Sequence, residues 1–126
     1  MGVRGIGGIF FRATDPDALT AWYRTHLNVG AGCVGDPVAA SDEWMWQAEG
    51  GPVVFAPFRA DTDYFPAERQ WMLNLRVDGL DTLIAALGEA GIVVETRVEW
   101  NSAEAGRFAR LHDPEGNPIE LWEPAS

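Results

Sequence analysis

The chain repeats itself once, and this repeat restricts the possible folds more than any other feature. Arg12 recurs as Arg76 and Asp17 recurs as Asp81, in each case 64 positions later. Each half has an alternating apolar stretch, then an amphipathic helical pattern, then about three short strand-like runs. Because two copies are too few for a solenoid, the repeat indicates two copies of one supersecondary unit.

The predicted unit is a βαβββ module. Such a module leaves an apolar sheet face open unless it packs against its own helix and its twin. We therefore predict an α+β fold in which two small mixed sheets form a cupped half-barrel, with one helix outside each sheet. One domain covers residues 1–126, with module 1 at about 3–58, a linker without periodicity at about 59–69, and module 2 at about 70–124.

Helix signals are clear in both modules. Asp15 is the predicted N-cap of the first helix, Pro16 takes its first position, and the helix ends near Asn28. The second helix spans residues 81–90 and is closed by Gly91. The strands before the closing hairpin are predicted at residues 3–12, 31–35, 43–48, 52–58, 70–77 and 92–100.

The last quarter of the chain is a predicted β-hairpin. Residues 113–117, with sequence DPEGN, hold a proline and a glycine where a tight turn needs them. Along the final strand, Ile119 and Leu121 point to one face, while Glu120 and Trp122 point to the other. One carboxylate therefore stands beside an indole on the face opposite the aliphatic residues.

Composition excludes several classes of partner. Nine basic and nineteen acidic residues give a net charge of −10, which repels nucleic acids and anionic membranes and tolerates cationic small molecules. There is no membrane-spanning apolar run and no signal-peptide pattern. Cys33 is the only cysteine, so no internal disulfide forms, and we expect a cytoplasmic protein in which Cys33 is a buried structural thiol.

Tryptophan is abundant, with six residues in different segments of the chain. Two interpretations are open: a Trp-rich core, or an aromatic-lined pocket formed where these segments converge.

Three segments carry a family resemblance. GIFFRATDPDALTAWYRTHL, WMLNLRVDGLDTLIAALGEAGI and FARLHDPEGNPIELWEP are similar, in this order, to parts of the glyoxalase/bleomycin-resistance/dioxygenase superfamily, also called vicinal oxygen chelate proteins. The resemblance implies paired βαβββ modules, a homodimer, and a cavity between modules. In many members this cavity holds a divalent metal.

The resemblance also implies which positions would hold the metal ligands, and most of these positions have no metal-ligating side chain in this sequence. The closing-strand place holds Glu120, but the other two principal places hold Gly8 and Met72. A fourth place, around residues 53–55, is apolar. Since glycine has no side chain and a thioether suits a hard divalent ion poorly, we predict no metal and no cofactor.

Glu120 is the predicted central residue of the site, and three roles remain open for it. It forms an ion pair with Arg12 or Arg76, it contacts a ligand or acts as a catalytic acid or base, or it ligates a metal. The predicted ligand-binding residues are Phe10, Arg12, Trp46, Met72, Asn74, Arg76 and Trp122. Whether His112 or Gln47 also reaches the pocket is open.

The resulting hypothesis is a homodimeric, metal-free protein that binds a small organic molecule in an aromatic cup. The alternative is a lyase, isomerase or dioxygenase-type enzyme that acts on a small oxygenated metabolite, with Glu120 as base or metal ligand.

Overall fold

The computed structural model describes residues 2–30 and 45–126. Its elements are, in chain order, α1 (Pro16–Leu27), β1 (Leu73–Arg76), α2 (Leu80–Glu89), a short 3-10 helix (Val98–Trp100), β2 (Gly106–His112) and β3 (Pro118–Pro124). Within this part of the chain, no helix has the length and apolar character that crossing a membrane requires. The predicted strand at 31–35 and Cys33 lie outside the described residues.

Local signals set both ends of α1. The carboxylate of Asp15 accepts a hydrogen bond from the backbone N–H of Ala18 at 3.1 Å, and Pro16 occupies the first helical position. The helix ends at Asn28, whose φ of 55° lies in the left-handed region that asparagine tolerates. Both predicted boundaries are confirmed.

The end of α2 is a Schellman motif. The N–H of Ile92 donates to the carbonyl of Leu87 at 2.9 Å, and the N–H of Gly91 donates to the carbonyl of Gly88 at 3.0 Å. Gly91 has a φ of 80°, which is why a glycine is needed there. The predicted stop at Gly91 is confirmed.

The sheet has three strands, with β3 in the centre, β1 parallel to it and β2 antiparallel to it. Ile119 and Leu121 of β3 point to one face and are completely buried, as predicted. Both helices contribute to the core on this face. The core residues are Leu19, Tyr23, Leu75, Leu80, Leu87, Ala109, Leu111, Ile119 and Leu121. The α+β class with a mixed, unclosed sheet is confirmed.

Asp113 organises the turn between β2 and β3. Although it is charged, it is only 4% exposed. Its Oδ1 accepts the backbone N–H groups of Glu115 at 2.9 Å and Asn117 at 3.0 Å, and its Oδ2 accepts the side-chain amide of Asn117 and the hydroxyl of Tyr23, both at 2.7 Å. These four donors offset the cost of burying the carboxylate.

The same turn holds the start of the first helix. The carboxylate of Glu115 accepts the backbone N–H groups of Thr14 at 2.6 Å and Asp15 at 2.9 Å, two donors that precede the helical ladder. These bonds lower the pKa of Glu115. The DPEGN segment therefore forms the hairpin turn and also binds the start of α1, which connects the second half of the chain to the first.

The predicted strands of the first module are wrong wherever the structure describes them. Residues 2–13 and 45–58 form no strand, and Phe10 and Phe55 are 97% and 81% exposed. Alternation indicates which face a strand would present, but a strand also needs a neighbouring backbone to accept and donate hydrogen bonds. The described residues thus form one of the two predicted sheets.

The predicted strand at residues 92–100 is largely wrong as well. Its residues form a single antiparallel bridge, between Glu95 and Arg110, and then turn into the 3-10 helix. That one bridge is enough to align the side chain of Glu95 with the neighbouring strand.

Candidate functional site

The candidate site lies on the face of the sheet opposite the helices. Glu120, in the central strand, lies in register with Asn74 of β1 on one side and with Arg110 of β2 on the other. The bridge from Arg110 to Glu95 extends this row by one residue. Because residues in register on one face have neighbouring side chains, four polar groups form a line across the sheet.

Both carboxylate oxygens of Glu120 accept a hydrogen bond. The hydroxyl of Tyr64 donates to Oε2 at 2.5 Å, and Nδ2 of Asn74 donates to Oε1 at 2.7 Å. Partial burial raises the pKa of Tyr64, and the hydrogen bond to Glu120 raises it further, because both disfavour the phenolate. Tyr64 therefore remains a neutral donor.

The ion pair with Arg12 or Arg76, one of the three roles left open for Glu120, is not formed among the described residues. The register of β1 and β3 places Arg76 opposite Trp122, one row away from Glu120. The guanidinium of Arg76 donates instead to the backbone carbonyls of Pro52 at 2.7 Å and Glu49 at 2.8 Å. Arg12 is exposed and forms no bond to Glu120.

Arg110 holds Tyr64 from two directions. Its Nη1 donates to the backbone carbonyl of Tyr64, and its guanidinium carbon lies 5.2 Å from the ring centroids of both Tyr64 and Trp100. Its Nη2 donates to Glu95 at 2.7 Å, and its buried Nε has no hydrogen-bond partner among the described residues. The hydrogen bonds from Arg110 and Arg97 lower the pKa of Glu95.

Aromatic side chains surround the phenol of Tyr64. Its ring lies edge-on to Trp100, with centroids 5.5 Å apart, and 5.9 Å from Phe58. Phe58 in turn contacts Phe65 at 5.6 Å. This aromatic cluster (Phe58, Tyr64, Phe65 and Trp100) forms a wall beside Glu120.

A second aromatic group lies on the same face of the sheet as Glu120. Trp122, two residues further along β3, stacks on Phe108 of β2 with a centroid distance of 6.3 Å and an interplanar angle of 5°. The indole N–H of Trp122 donates to the carbonyl of Ala105 at 2.7 Å, which fixes the orientation of the ring. The stacked pair (Phe108 and Trp122) therefore lies one row along this face from Glu120 and Arg110, and Tyr64 of the aromatic cluster contacts Glu120 directly.

Comparison with known proteins identifies the family and the fold. The family described as "Glyoxalase-like domain" matches residues 8–122. The chain belongs to the glyoxalase-like domain family. A crystal structure of TnmS3, an antibiotic binding protein from Streptomyces sp. CB03234, is similar to this glyoxalase-like protein with a TM-score of 0.62, 23% identity and 99% coverage of both chains. No curated protein sequence matches it significantly.

The structure brings together four of the residues predicted for the site of this glyoxalase-like protein: Asn74, Arg76, Glu120 and Trp122. Met72 is half-buried and lies immediately before β1. Phe10 and Trp46 are 97% and 39% exposed, and Arg12 is exposed too, so these three take no part in the described row. Gln47 is also exposed.

Sequence reasoning missed Tyr64, Arg110, Glu95 and Trp100 as neighbours of Glu120. A signal for Arg110 was present, because residues equally distant from a hairpin turn pair with one another, and Arg110 and Glu120 are equally distant from residue 115. Tyr64 had no comparable signal, since it lies 56 positions from Glu120 in an irregular segment.

The residues at the site do not fit a divalent metal. Gly8 and Met72, in the two places where the superfamily resemblance implies ligands, supply no hard donor, and each oxygen of Glu120 already accepts a protein donor. Within residues 2–30 and 45–126, no three His, Cys, Asp or Glu side chains are grouped so that they could hold a metal ion.

An open depression of about 460 Å³ lies at the outer edge of β2 and shares Arg110 and Glu95 with the Glu120 row. Its lining also includes His112, together with Trp22 from α1 and Ile92 and Val93 from the segment after α2. His112 therefore lies beside the outer end of the row.

Proposed function

We propose that this glyoxalase-like protein binds a small organic molecule on the Glu120 face of the sheet, without a metal ion. The observation that carries the proposal is a partly buried carboxylate that shares one face of the sheet with two groups of aromatic side chains, the aromatic cluster and the stacked pair. Aromatic walls with a few convergent polar groups are typical of small-molecule sites. This carboxylate and its aromatic neighbours are our proposed form of the predicted aromatic cup.

The similarity to TnmS3 supports a binding role. That protein is described as an antibiotic binding protein, and the similarity covers 99% of both chains. With 23% identity, the comparison concerns the fold, and the nature of any ligand must come from this chain's own residues. A net charge of −10 favours neutral or cationic ligands over anionic ones and disfavours nucleic acid and anionic membranes as partners.

We also propose a homodimer in the cytoplasm. Val3, Phe10 and Phe55, in segments that form no strand, are 97%, 97% and 81% exposed. Large apolar side chains at this exposure favour burial against another protein surface, and the family resemblance suggests a second copy. Sedimentation equilibrium tests the dimer, and a monomer at micromolar concentration would contradict it. Cell fractionation tests the location.

The binding proposal is tested by thermal shift against a panel of antibiotics and neutral metabolites. A ligand at 100 times its Kd adds about 2.7 kcal/mol to the free energy of unfolding, which a melting curve resolves. Hits are then titrated calorimetrically into the wild type, Glu120→Gln, and the control Glu89→Gln. Glu89 is an exposed carboxylate at the end of α2. We expect weaker binding only for Glu120→Gln, and equal affinities for all three proteins would contradict the site.

The metal-free part of the proposal has its own test. Zn²⁺, Ni²⁺, Mn²⁺ and Fe²⁺ are titrated into the protein by calorimetry, and we expect no binding near one ion per chain. Stoichiometric binding that disappears in Glu120→Ala would overturn it.

The enzymatic alternative is less consistent with the contacts of Glu120. Each oxygen already accepts one hydrogen bond, so a substrate proton would have to reach a remaining lone pair beside Tyr64 or Asn74. Turnover of a panel compound that Glu120→Gln abolishes, with binding retained, would favour the enzyme.

A further inference from the structure

Tyr64 makes the contacts that a bound aromatic guest would make at this site. Its hydroxyl donates to Glu120, and its ring lies against Trp100, Phe58 and the guanidinium of Arg110. Each of these groups recognises a feature of a phenol: the carboxylate binds the O–H, and the cation and the aromatic edges bind the ring face.

The segment that carries Tyr64 is attached to the sheet at few points. Arg59 and Asp61, at its start, have side chains 86% and 76% exposed and pair with each other. At its end, Arg69 donates to the side chain of Asn117 at 3.1 Å and to the carbonyl of Glu115 at 2.7 Å. Between these ends, the polar contacts to the sheet are those of Tyr64 itself, among the described residues.

We infer that the phenol of Tyr64 is an internal occupant of the ligand site, and that the ligands are neutral hydroxylated aromatic molecules whose own hydroxyl displaces it from Glu120. The inference rests on the proposed function. A guest that lacks a hydroxyl would leave Glu120 without one of its donors, which is costly for a partly buried carboxylate. The buried Nε of Arg110 offers a donor to a further oxygen on the guest.

The sign of one substitution distinguishes an occupant from a contact residue. In the wild type, a guest hydroxyl replaces an existing hydrogen bond, so the exchange gains little. In Tyr64→Phe the same guest gains that bond without breaking another, so its affinity increases. If Tyr64 instead contacted the ligand through its hydroxyl, the same substitution would weaken binding.

The probes are 2-naphthol and 2-methoxynaphthalene, which differ in the hydroxyl donor. We expect Tyr64→Phe to bind both probes about tenfold more tightly than the wild type, equivalent to about 1.4 kcal/mol, because either guest must break the bond from Tyr64 to Glu120 in the wild type. In each protein we expect 2-naphthol to bind more tightly than 2-methoxynaphthalene, because only 2-naphthol restores a donor to Glu120. Tyr23→Phe is the matched control, because it removes a phenol hydroxyl from a buried pair with Asp113, away from the site. We expect it to leave the affinity for 2-naphthol unchanged.

A second measurement follows the Tyr64 side chain itself on ligand binding. The chain has two tyrosines, so protein labelled with 3-fluorotyrosine gives two ¹⁹F signals, which the two Tyr→Phe variants assign. On saturation with 2-naphthol, we expect the Tyr64 signal to move towards that of free fluorotyrosine and the Tyr23 signal to stay in place.

Failure of the inference is distinguishable from failure of the proposed function. If panel compounds bind through Glu120 but Tyr64→Phe fails to strengthen 2-naphthol binding, or the Tyr64 ¹⁹F signal does not move, the inference is wrong and the proposed function stands. The absence of 2-naphthol binding to every form would also overturn the inference. The proposed function fails only if no panel compound gives binding that depends on Glu120.

Discussion

The replacement Tyr23→Phe tests the buried contact that joins α1 to the hairpin turn. Tyr23 is 7% exposed, and its hydroxyl donates at 2.7 Å to Asp113, which is 4% exposed. A hydrogen bond to a charged group contributes roughly 1.5–3 kcal/mol to the free energy of unfolding. Since Oδ2 of Asp113 keeps the amide of Asn117 as a donor, we expect a loss within this range. At roughly 3–5 °C per kcal/mol for this chain length, Tm falls by roughly 5–15 °C.

The pH dependence of the free energy of unfolding above pH 10 is a second, independent measure of the same contact. Burial and the hydrogen bond to Asp113 raise the pKa of Tyr23 well above its ordinary value of 10.0, and the pKa of Tyr64 is raised as well. Above pH 10 the unfolded chain therefore binds fewer protons than the folded one, so the free energy of unfolding falls as pH rises, by about 1.4 kcal/mol per pH unit for each tyrosine. The slope from tyrosines is about 2.7 kcal/mol per pH unit in the wild type and about half that in Tyr23→Phe.

Urea unfolding followed by circular dichroism, at several values between about pH 8 and pH 11.5, measures both quantities. Below pH 10 the contribution of the tyrosine hydroxyls to stability is fully present, and the free energies of unfolding of the two proteins depend on pH in parallel. Above pH 10 the two free energies converge, because the variant already lacks the Tyr23 contribution that the wild type is losing. Equal slopes above pH 10 would refute the assignment of the Tyr23 hydroxyl to Asp113, whatever the difference in Tm.

Two further predictions concern the turn and the backbone. Backbone N–H donors lower the pKa of Glu115 below its ordinary value of 4.5, so we expect Glu115→Gln to lower Tm at neutral pH and to lower it less as pH falls below 4.5. Thermal melts of both proteins across that pH range measure this. A difference in Tm that did not depend on pH would contradict it. Gly106→Ala places a Cβ 2.1 Å from the carbonyl oxygen of Glu123 at a φ of 109°, at a cost of roughly 2–4 kcal/mol. Gly88 lies in α2 with open space around it, so Gly88→Ala should raise the free energy of unfolding by roughly 0.5–1 kcal/mol. If urea unfolding showed that both substitutions change the free energy of unfolding in the same direction, this account would be contradicted.

The helix boundaries in both halves of the chain, and the closing hairpin, were determined by local sequence. The N-cap Asp15, the left-handed Asn28 and the glycine after α2 act on backbone groups a few residues away, so their effects are visible in the sequence itself. The alternation of β3 likewise fixed that Ile119 and Leu121 are buried and that Glu120 faces away from them. The turn between β2 and β3 also implied that Arg110 lies opposite Glu120.

The strands of the first module could not be obtained in this way. Residues 2–13 alternate as a strand does, yet they form none, because alternation carries no information on whether a neighbouring backbone is available. The ion pair considered for Glu120 with Arg12 or Arg76 is not formed, for a related reason. A shift of two residues in the parallel register exchanges Asn74 and Arg76 as the neighbour of Glu120, and no local signal sets that register.

The sequence by itself therefore determined the family, the caps, the hairpin and the direction of the Glu120 side chain, all of which depend on nearby residues or on pattern. Only the tertiary structure decided what Glu120 touches. Asn74 and Tyr64 are 46 and 56 positions away from it, and their approach depends on strand register and on the path of an irregular linker. Such contacts follow from the packing of the whole chain, which no short stretch of sequence encodes.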